Sequence, residues 1–188
     1  MMRVGSQLTF CSPDKILRRT AVEQDQNNII TGFFSLDSEL TEPENTLFFD
    51  GIISSGLLSL KQTIPEEINP KALNEYQYFD FSENIPLFNL KLTNKPLILD
   101  FGTNSTDRFN DLLPDLYRLL SGLSIFDIIA ACTYNPYVIS GYKTGLSEGF
   151  KTGLILWENT DLVHRKLTET TKIRELSRYN QEGKTKLD

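Results

Sequence analysis

The chain has 188 residues, a net charge of −6 and a pI near 4.9. This length suggests one domain, and 39% hydrophobic residues are enough for a core. The acidic balance argues against nucleic acid as a partner, and no apolar run is long enough to span a membrane. The first residues lack a charged region followed by an apolar one, so no signal peptide is expected and a cytoplasmic location is predicted.

The first 60 residues predict short strands separated by turns. The turns are Ser12-Pro13-Asp14 and Asp25-Gln26-Asn27-Asn28, which are rich in residues that favour turns. The predicted strands are Val4 to Phe10, Thr20 to Glu23, Ile29 to Phe34 and Thr46 to Ile53. Gly51 lies inside the last of them and predicts a bulge or a close backbone approach. The Glu-rich residues 37–45 are expected to form a solvated loop.

Residues 64–95 contain three prolines, a fourth follows directly after them, and many of their side chains are aromatic. We therefore predict an irregular segment that packs against the rest of the chain and contains one short helix. Its aromatic residues at 76–88 have two interpretations. They could line a ligand pocket, in which case Tyr76 and Tyr78 are candidate binding residues. They could instead cover an apolar surface. After this segment, Leu97-Ile98-Leu99-Asp100-Phe101 is typical of a buried strand.

Residues 107–141 are predicted to be helical, because leucines recur there at helical spacing. Gly122 ends the first helix. Ser124 and Asp127 resemble a capping box that opens the second, and Pro136 fits the first turn of a third. Further strands are predicted around 153–157, 161–167 and 171–176. The polar residues 177–188 are predicted to be a disordered tail.

Three residues with reactive side chains have unremarkable predicted environments. Cys11 and Cys132 are expected to be buried free thiols, with a disulfide or a reactive thiol as the alternatives. His164, the chain's single histidine, is predicted to lie at the surface or half-buried in a strand.

Several motifs, in this order, carry a family resemblance. Cys132-Thr133-Tyr134-Asn135-Pro136, three following glycines and Leu154-Ile155-Leu156-Trp157 resemble the end of metal-dependent amidohydrolases of the cytosine-deaminase and dihydroorotase type. Arg3 to Phe33 is similar to the N-terminal strands of that family, and Phe48 to Leu58 is similar to its approach to the first barrel strand. Gly149 to Leu176 resembles the return of the chain to the small β domain. The three glycines are Gly141, Gly145 and Gly149.

The resemblance also shows what the chain lacks. Lys61 and Thr63 stand where the family has two metal-binding histidines, and Asn104 stands where it has a metal-binding aspartate. Only Thr63 to Lys95 separates the matches to the first and last barrel strands, which leaves no room for a (β/α)₈ barrel. Ammonium, hydroxyl and amide groups are poor ligands for a catalytic metal. The resemblance therefore implies no metal, no other cofactor and no catalytic residue of the family type.

We accordingly expect a mainly β, α+β fold: a buckled β-sandwich or pseudobarrel with a few short helices. Residues 1–176 are expected to form one domain, in which 1–60 and 150–176 build the β part and 61–149 are a helical insert. Thr103, Asn104 and Ser105 could form an anion-binding turn, or could simply cap the next helix.

The expected role is non-catalytic binding or interaction, as a homodimer or as the partner of a true amidohydrolase. The apolar residues Phe48, Ile52, Leu57 and Leu60 mark the face that the lost barrel would have covered. Two alternatives remain: a hydrolase acting on carbon–nitrogen bonds whose active site another chain completes, and a sensor for a small ligand of unknown identity.

Overall fold

The structure is a computed structural model that describes residues 1–37, 46–62, 68, 70–82, 91–141 and 145–176. Its strands are β1 (Met2–Ser12), β2 (Lys15–Gln24), β3 (Ile30–Ser35), β4 (Thr46–Ser55), β5 (Gln77–Asp80), β6 (Leu97–Asp100), β7 (Leu154–Glu158) and β8 (Lys172–Glu175). Its helices are α1 (Pro70–Leu73), α2 (Thr106–Leu120), α3 (Ile125–Ile129) and α4 (Asn135–Ile139). The predicted mainly β, α+β class is confirmed. No helix in the described ranges has the length and hydropathy needed to cross a bilayer.

Six strands form the main sheet, in the order β3-β2-β1-β4-β7-β8. The predicted turns produce its first hairpins. Ser12 pairs with Lys15 across a two-residue connection. In the second turn the Asp25 carboxylate accepts hydrogen bonds from the backbone of Asn27 and Ile29, at 2.8 and 2.9 Å. Such local bonds are the reason that aspartate favours turns.

Strand β4 joins the two ends of the chain. It runs parallel to β1 and antiparallel to β7, so N-terminal and C-terminal strands share one sheet. The register between β1 and β4 shifts beside Gly51, as predicted. At Gly51 φ is +139°, and a Cβ there would lie 2.2 Å from the backbone oxygen of Trp157. Only glycine permits this approach of β4 to β7.

The sheet packs on both faces, as its alternating side chains require. Ile52, Ile155 and Trp157 point into the larger core, which α2 and α3 cover. Ile53 and Leu156 point into a second core on the opposite face. The sheet also curls: the edge of β3 hydrogen-bonds to residues 149–152, which lead into β7. The second core is thereby enclosed by the sheet itself.

Strands β5 and β6 form a separate parallel pair. Beside it, α3 runs into a π-helical stretch, Ala130–Tyr134, and then directly into α4. Pro136 lies in the first turn of α4, as predicted, but the helical path continues from α3 to α4 without a break. Proline lacks the N–H that would bind the Cys132 carbonyl four residues earlier. That carbonyl instead accepts a hydrogen bond from the Leu58 backbone, at 3.4 Å.

Other expectations need correction or confirmation. Residues 161–167 form turns around one bridge between Asp161 and Lys166 and not a strand, so His164 lies exposed in a loop. Both cysteines are free and buried, in different cores. Burial raises the pKa of Cys11 to about 11, against the opposing charge of Lys15, and also raises that of Cys132. The expectations for residues 38–45, Thr63, Phe88 and 177–188 lie outside the described residues.

Candidate functional site

Polar side chains, among them the predicted residues Lys61, Tyr78 and Asn104, lie around the carboxyl ends of β5 and β6. In the parallel pair Asp80 stands directly beside Asp100, so both carboxylates leave the sheet at one edge. The turn after β4 packs against this edge. Its Ser59 hydroxyl donates to Asp100 at 2.7 Å, and the Leu60 backbone donates to the same carboxylate at 2.9 Å.

Asp100 is the centre of this cluster and has no exposed surface. Besides Ser59 and Leu60, the Tyr78 hydroxyl and the Gly102 backbone donate to it, each at 2.9 Å. Four donors replace the water that a buried carboxylate loses. Burial raises the pKa of Tyr78, and the Asp100 charge raises it further, so this hydroxyl remains a donor. We call Asp100 and its four donors the Asp100 latch, because their hydrogen bonds join three segments of the chain.

Sequence reasoning missed Asp100, although a signal was present. The strand Leu97-Ile98-Leu99-Asp100-Phe101 is apolar except for this one residue. An aspartate inside a buried strand is rare unless protein groups satisfy it. That pattern alone predicts a polar partner set, but it does not identify Ser59, Leu60 and Tyr78.

Lys61 is engaged by a second carboxylate next to the latch. Its ammonium lies 2.7 Å from Asp80 and also donates to Ser82. Ser82 in turn donates to Asp80 from its backbone and its hydroxyl. Burial acts to raise the pKa of Asp80, but the hydrogen bonds from Lys61 and Ser82 and the Lys61 charge outweigh it and lower that pKa. A fixed ammonium here repels a cation.

Asn104 closes the other side of the same turn. Its side-chain oxygen accepts a 2.7 Å hydrogen bond from the Ser59 backbone. Asn104 also lines an open cavity of about 400 Å³, together with Leu57, Tyr137 and Thr152. Lys61 and Asn104, which the sequence resemblance placed at metal positions, thus each make an internal bond that stabilises the fold.

The remaining predicted binding residues do not gather around one point. The Thr103 hydroxyl accepts from the Ser105 backbone, and the Ser105 hydroxyl accepts from the Asp107 backbone at the start of α2. These are capping bonds. Tyr76 packs in a small apolar cluster with Leu60, Ile98 and Ile139. Tyr78 alone of the aromatic pair joins the latch. Ligand binding by these residues stays a prediction.

The donor set here does not fit a catalytic metal. Within the described ranges, no three His, Cys, Asp or Glu side chains come together in an arrangement that would hold an ion. His164 is distant from this cluster in sequence and binds Asp161 through Nδ1 at 2.8 Å. The two carboxylates at the sheet edge are already paired with internal donors.

Comparison with known proteins leaves the chain unassigned. No family model matches it, and no curated protein matches it. Among solved structures it is similar to N-acetyl-D-glucosamine-6-phosphate deacetylase from Mycobacterium smegmatis, with 9% identity and a TM-score of 0.25. The match covers 65% of this chain and 30% of the deacetylase chain. Similarity at this level carries no argument about activity.

Proposed function

We propose that this chain is a degenerate amidohydrolase-like protein whose role is binding and not metal-dependent hydrolysis. The observation that carries the proposal is the use of Lys61 and Asn104. By resemblance these residues occupy metal-ligand positions, and here each makes an internal bond that the fold uses. A Lewis-acid metal needs several deprotonated ligands that converge and an open position for water. An ammonium and a neutral amide supply neither.

The geometry around Asp100 supports the same conclusion. A catalytic carboxylate must reach a substrate or a water, and Asp100 is fully buried with four protein donors. Ser59 is also buried, and its hydroxyl donates to Asp100. A serine nucleophile needs an adjacent base and an exposed oxygen. Neither residue can therefore start an acyl-transfer reaction from this arrangement.

Metal analysis tests the proposal. The protein is dialysed against Zn²⁺ and then against buffer, and bound zinc is measured alongside turnover of cytosine and dihydroorotate. We expect far less than one ion per chain and no turnover. The proposal fails if roughly one ion per chain is retained, is lost in N104A and supports turnover. The variant K61Q is the companion control, because removing the ammonium should not create a zinc site by itself.

A further inference from the structure

A groove in the described part of the chain is lined by none of the residues of the Asp100 latch. It has a volume of about 970 Å³, within the range of small-molecule sites. Strands β1, β2 and β4, helix α3 and the loop after β7 all contribute to it. Its principal lining residues are Arg18, Arg19, Arg165, Phe48, Phe126 and Leu162.

The charge of this groove is opposite to that of the chain. Among the described residues, three guanidinium groups and one carboxylate, Asp37, line it, although the whole chain carries −6. Arg19 pairs with Asp37 at 3.1 Å, but both side chains are mostly exposed, so water competes with that pair. Arg18 has no carboxylate partner in the described residues. The positive field is therefore available to an incoming anion.

The apolar part of the groove is open to solvent as well. Phe48 is 51% exposed and Val163 is 85% exposed. The Arg165 guanidinium lies 5.7 Å from the centre of the Phe126 ring, an arrangement that holds the cation at the groove without neutralising it. Exposed apolar surface beside unneutralised guanidinium groups suits a ligand that is anionic at one end and apolar at the other.

The backbone of two of these arginines is fixed in a strained conformation. Arg19 and Arg165 have φ values of +40° and +56°, a region that disfavours residues with a side chain. Their carbonyls are held by Leu36 and Ile125 through 2.7 Å hydrogen bonds, so the strained conformation is fixed. Glycine would adopt it with less strain. The backbone of both arginines is therefore held in place beside the groove.

We propose that this groove binds a small organic anion, a carboxylate or phosphate on an apolar body, with the anionic group paired to Arg18 and Arg165. The proposal rests on the binding role proposed above and names its site and ligand class. Guanidinium groups pair with carboxylate and phosphate through parallel N–H donors. The apolar body would lie on Phe48, Val163 and Leu162.

The test uses two probes of matching shape. The anion 8-anilinonaphthalene-1-sulfonate and its uncharged analogue N-phenyl-1-naphthylamine are titrated by fluorescence against the full chain. In R18Q/R165Q the anion should bind roughly tenfold more weakly, while the uncharged probe is unchanged. The variant R118Q/K91Q removes two positive charges elsewhere and should leave both affinities as they are. Equal anion affinity in all three proteins would overturn the proposal.

A second variant guards against misfolding. Val163 is so exposed that V163D should fold normally, and the added carboxylate should also weaken the anion. Displacement of the probe by phenylacetate or by phenyl phosphate then distinguishes a carboxylate from a phosphate ligand. Displacement by an acidic apolar peptide, with neither small anion effective, would overturn the small-ligand class.

Failure of this proposal is separable from failure of the proposed function. The zinc and turnover assays depend on Lys61 and Asn104, which do not line the groove. If the affinity for the anion does not depend on the groove arginines and no zinc is bound, only the proposed anion site is overturned. If turnover depends on zinc and the anion still binds through the groove arginines, only the proposed non-catalytic function is overturned.

Discussion

A carboxylate taken out of water must regain its solvation from protein donors, and Asp100 does so with four of them. Its donors come from the turn after β4, from β5 and from the start of the loop after β6. The contribution of this arrangement to the free energy of unfolding depends on all four donors being present, because each lost donor leaves part of a buried charge unsatisfied.

We therefore expect D100N to lower the free energy of unfolding by about 3 kcal/mol, since the new amide would direct an N–H group at existing donors. Y78F removes one donor and should cost about 1.5 kcal/mol. Y76F is the matched control, because Tyr76 packs in the same apolar cluster as Tyr78 but is not one of the four donors to Asp100. Urea denaturation measures all three. A D100N protein as stable as the parent would contradict the latch.

The pair between Lys61 and Asp80 makes stability depend on pH. The pKa of Asp80 is lowered in the folded state, so its contribution is complete above the unfolded value of about 4 and is lost as pH falls through the folded pKa. K61Q should cost less than about 1 kcal/mol at pH 7, because the pair is partly exposed.

The deficit of K61Q should then shrink as Asp80 becomes protonated. Urea denaturation from pH 7 to pH 3 follows this convergence. K91Q serves as the control, because the structure describes no carboxylate partner for Lys91. A K61Q deficit that stayed constant across this range would mean that Lys61 acts through packing and not through its charge.

At the scale of elements, Gly145 attaches the segment before β7 to the end of β1. Its φ is +73°, and a Cβ there would lie 1.9 Å from the Cys11 backbone oxygen. Gly149 has nearly the same φ, +76°, with no atom within 4 Å of the corresponding position. Comparing alanine substitutions at the two glycines therefore distinguishes the effect of a steric clash from that of backbone strain.

G149A should cost about 1 kcal/mol, the strain of a left-handed alanine. G145A should cost about 3 kcal/mol or more, because β1 must also move away from the inserted methyl group. Thermal unfolding compares the two. Equal losses would show that the contact with Cys11 relaxes at no cost in stability.

Local signals explain which elements the sequence predicts correctly. The strands up to Ile53, the helix α2 and the capping box at Ser124 and Asp127 all depend on residues close in the chain, and they are found. Strand β5 was not predicted, because its pairing with β6 bridges some twenty residues and no alternation marks it. Residues 161–167 looked like a strand but close on themselves through Asp161 and Lys166.

The candidate site was predictable only in part for the same reason. Lys61 and Asn104 were named as degenerate positions from the resemblance, but their partners Asp80 and Ser59 lie in other segments. No local sequence pattern predicts the groove that Arg18, Arg19 and Arg165 line. Arg18 and Arg165 are far apart in the chain, and only the curled sheet and the loop after β7 bring them to one surface.

At the scale of the whole molecule, the apolar face that predicted a homodimer is largely covered by the chain. Ile52 and Leu57 lie in the larger core with α2 and α3, and Leu60 packs against Ile98. Phe48 remains 51% exposed. A stable dimer usually buries about 1,200 Å² or more, and of the four residues of this face Phe48 alone is exposed.

We therefore expect a monomer in sedimentation at micromolar concentration, in place of the homodimer that the sequence alone suggests. Helices α2 and α3 pack in the same core as Ile52 and Leu57, so these two side chains are kept from water within the chain. F48S should then leave the sedimentation coefficient unchanged, and its effect should appear as weaker binding of both the anionic and the uncharged probe in the groove that Phe48 lines. A dimer that F48S dissociates would show that Phe48 is the centre of an interface between two chains, and the groove it lines would then belong to that interface.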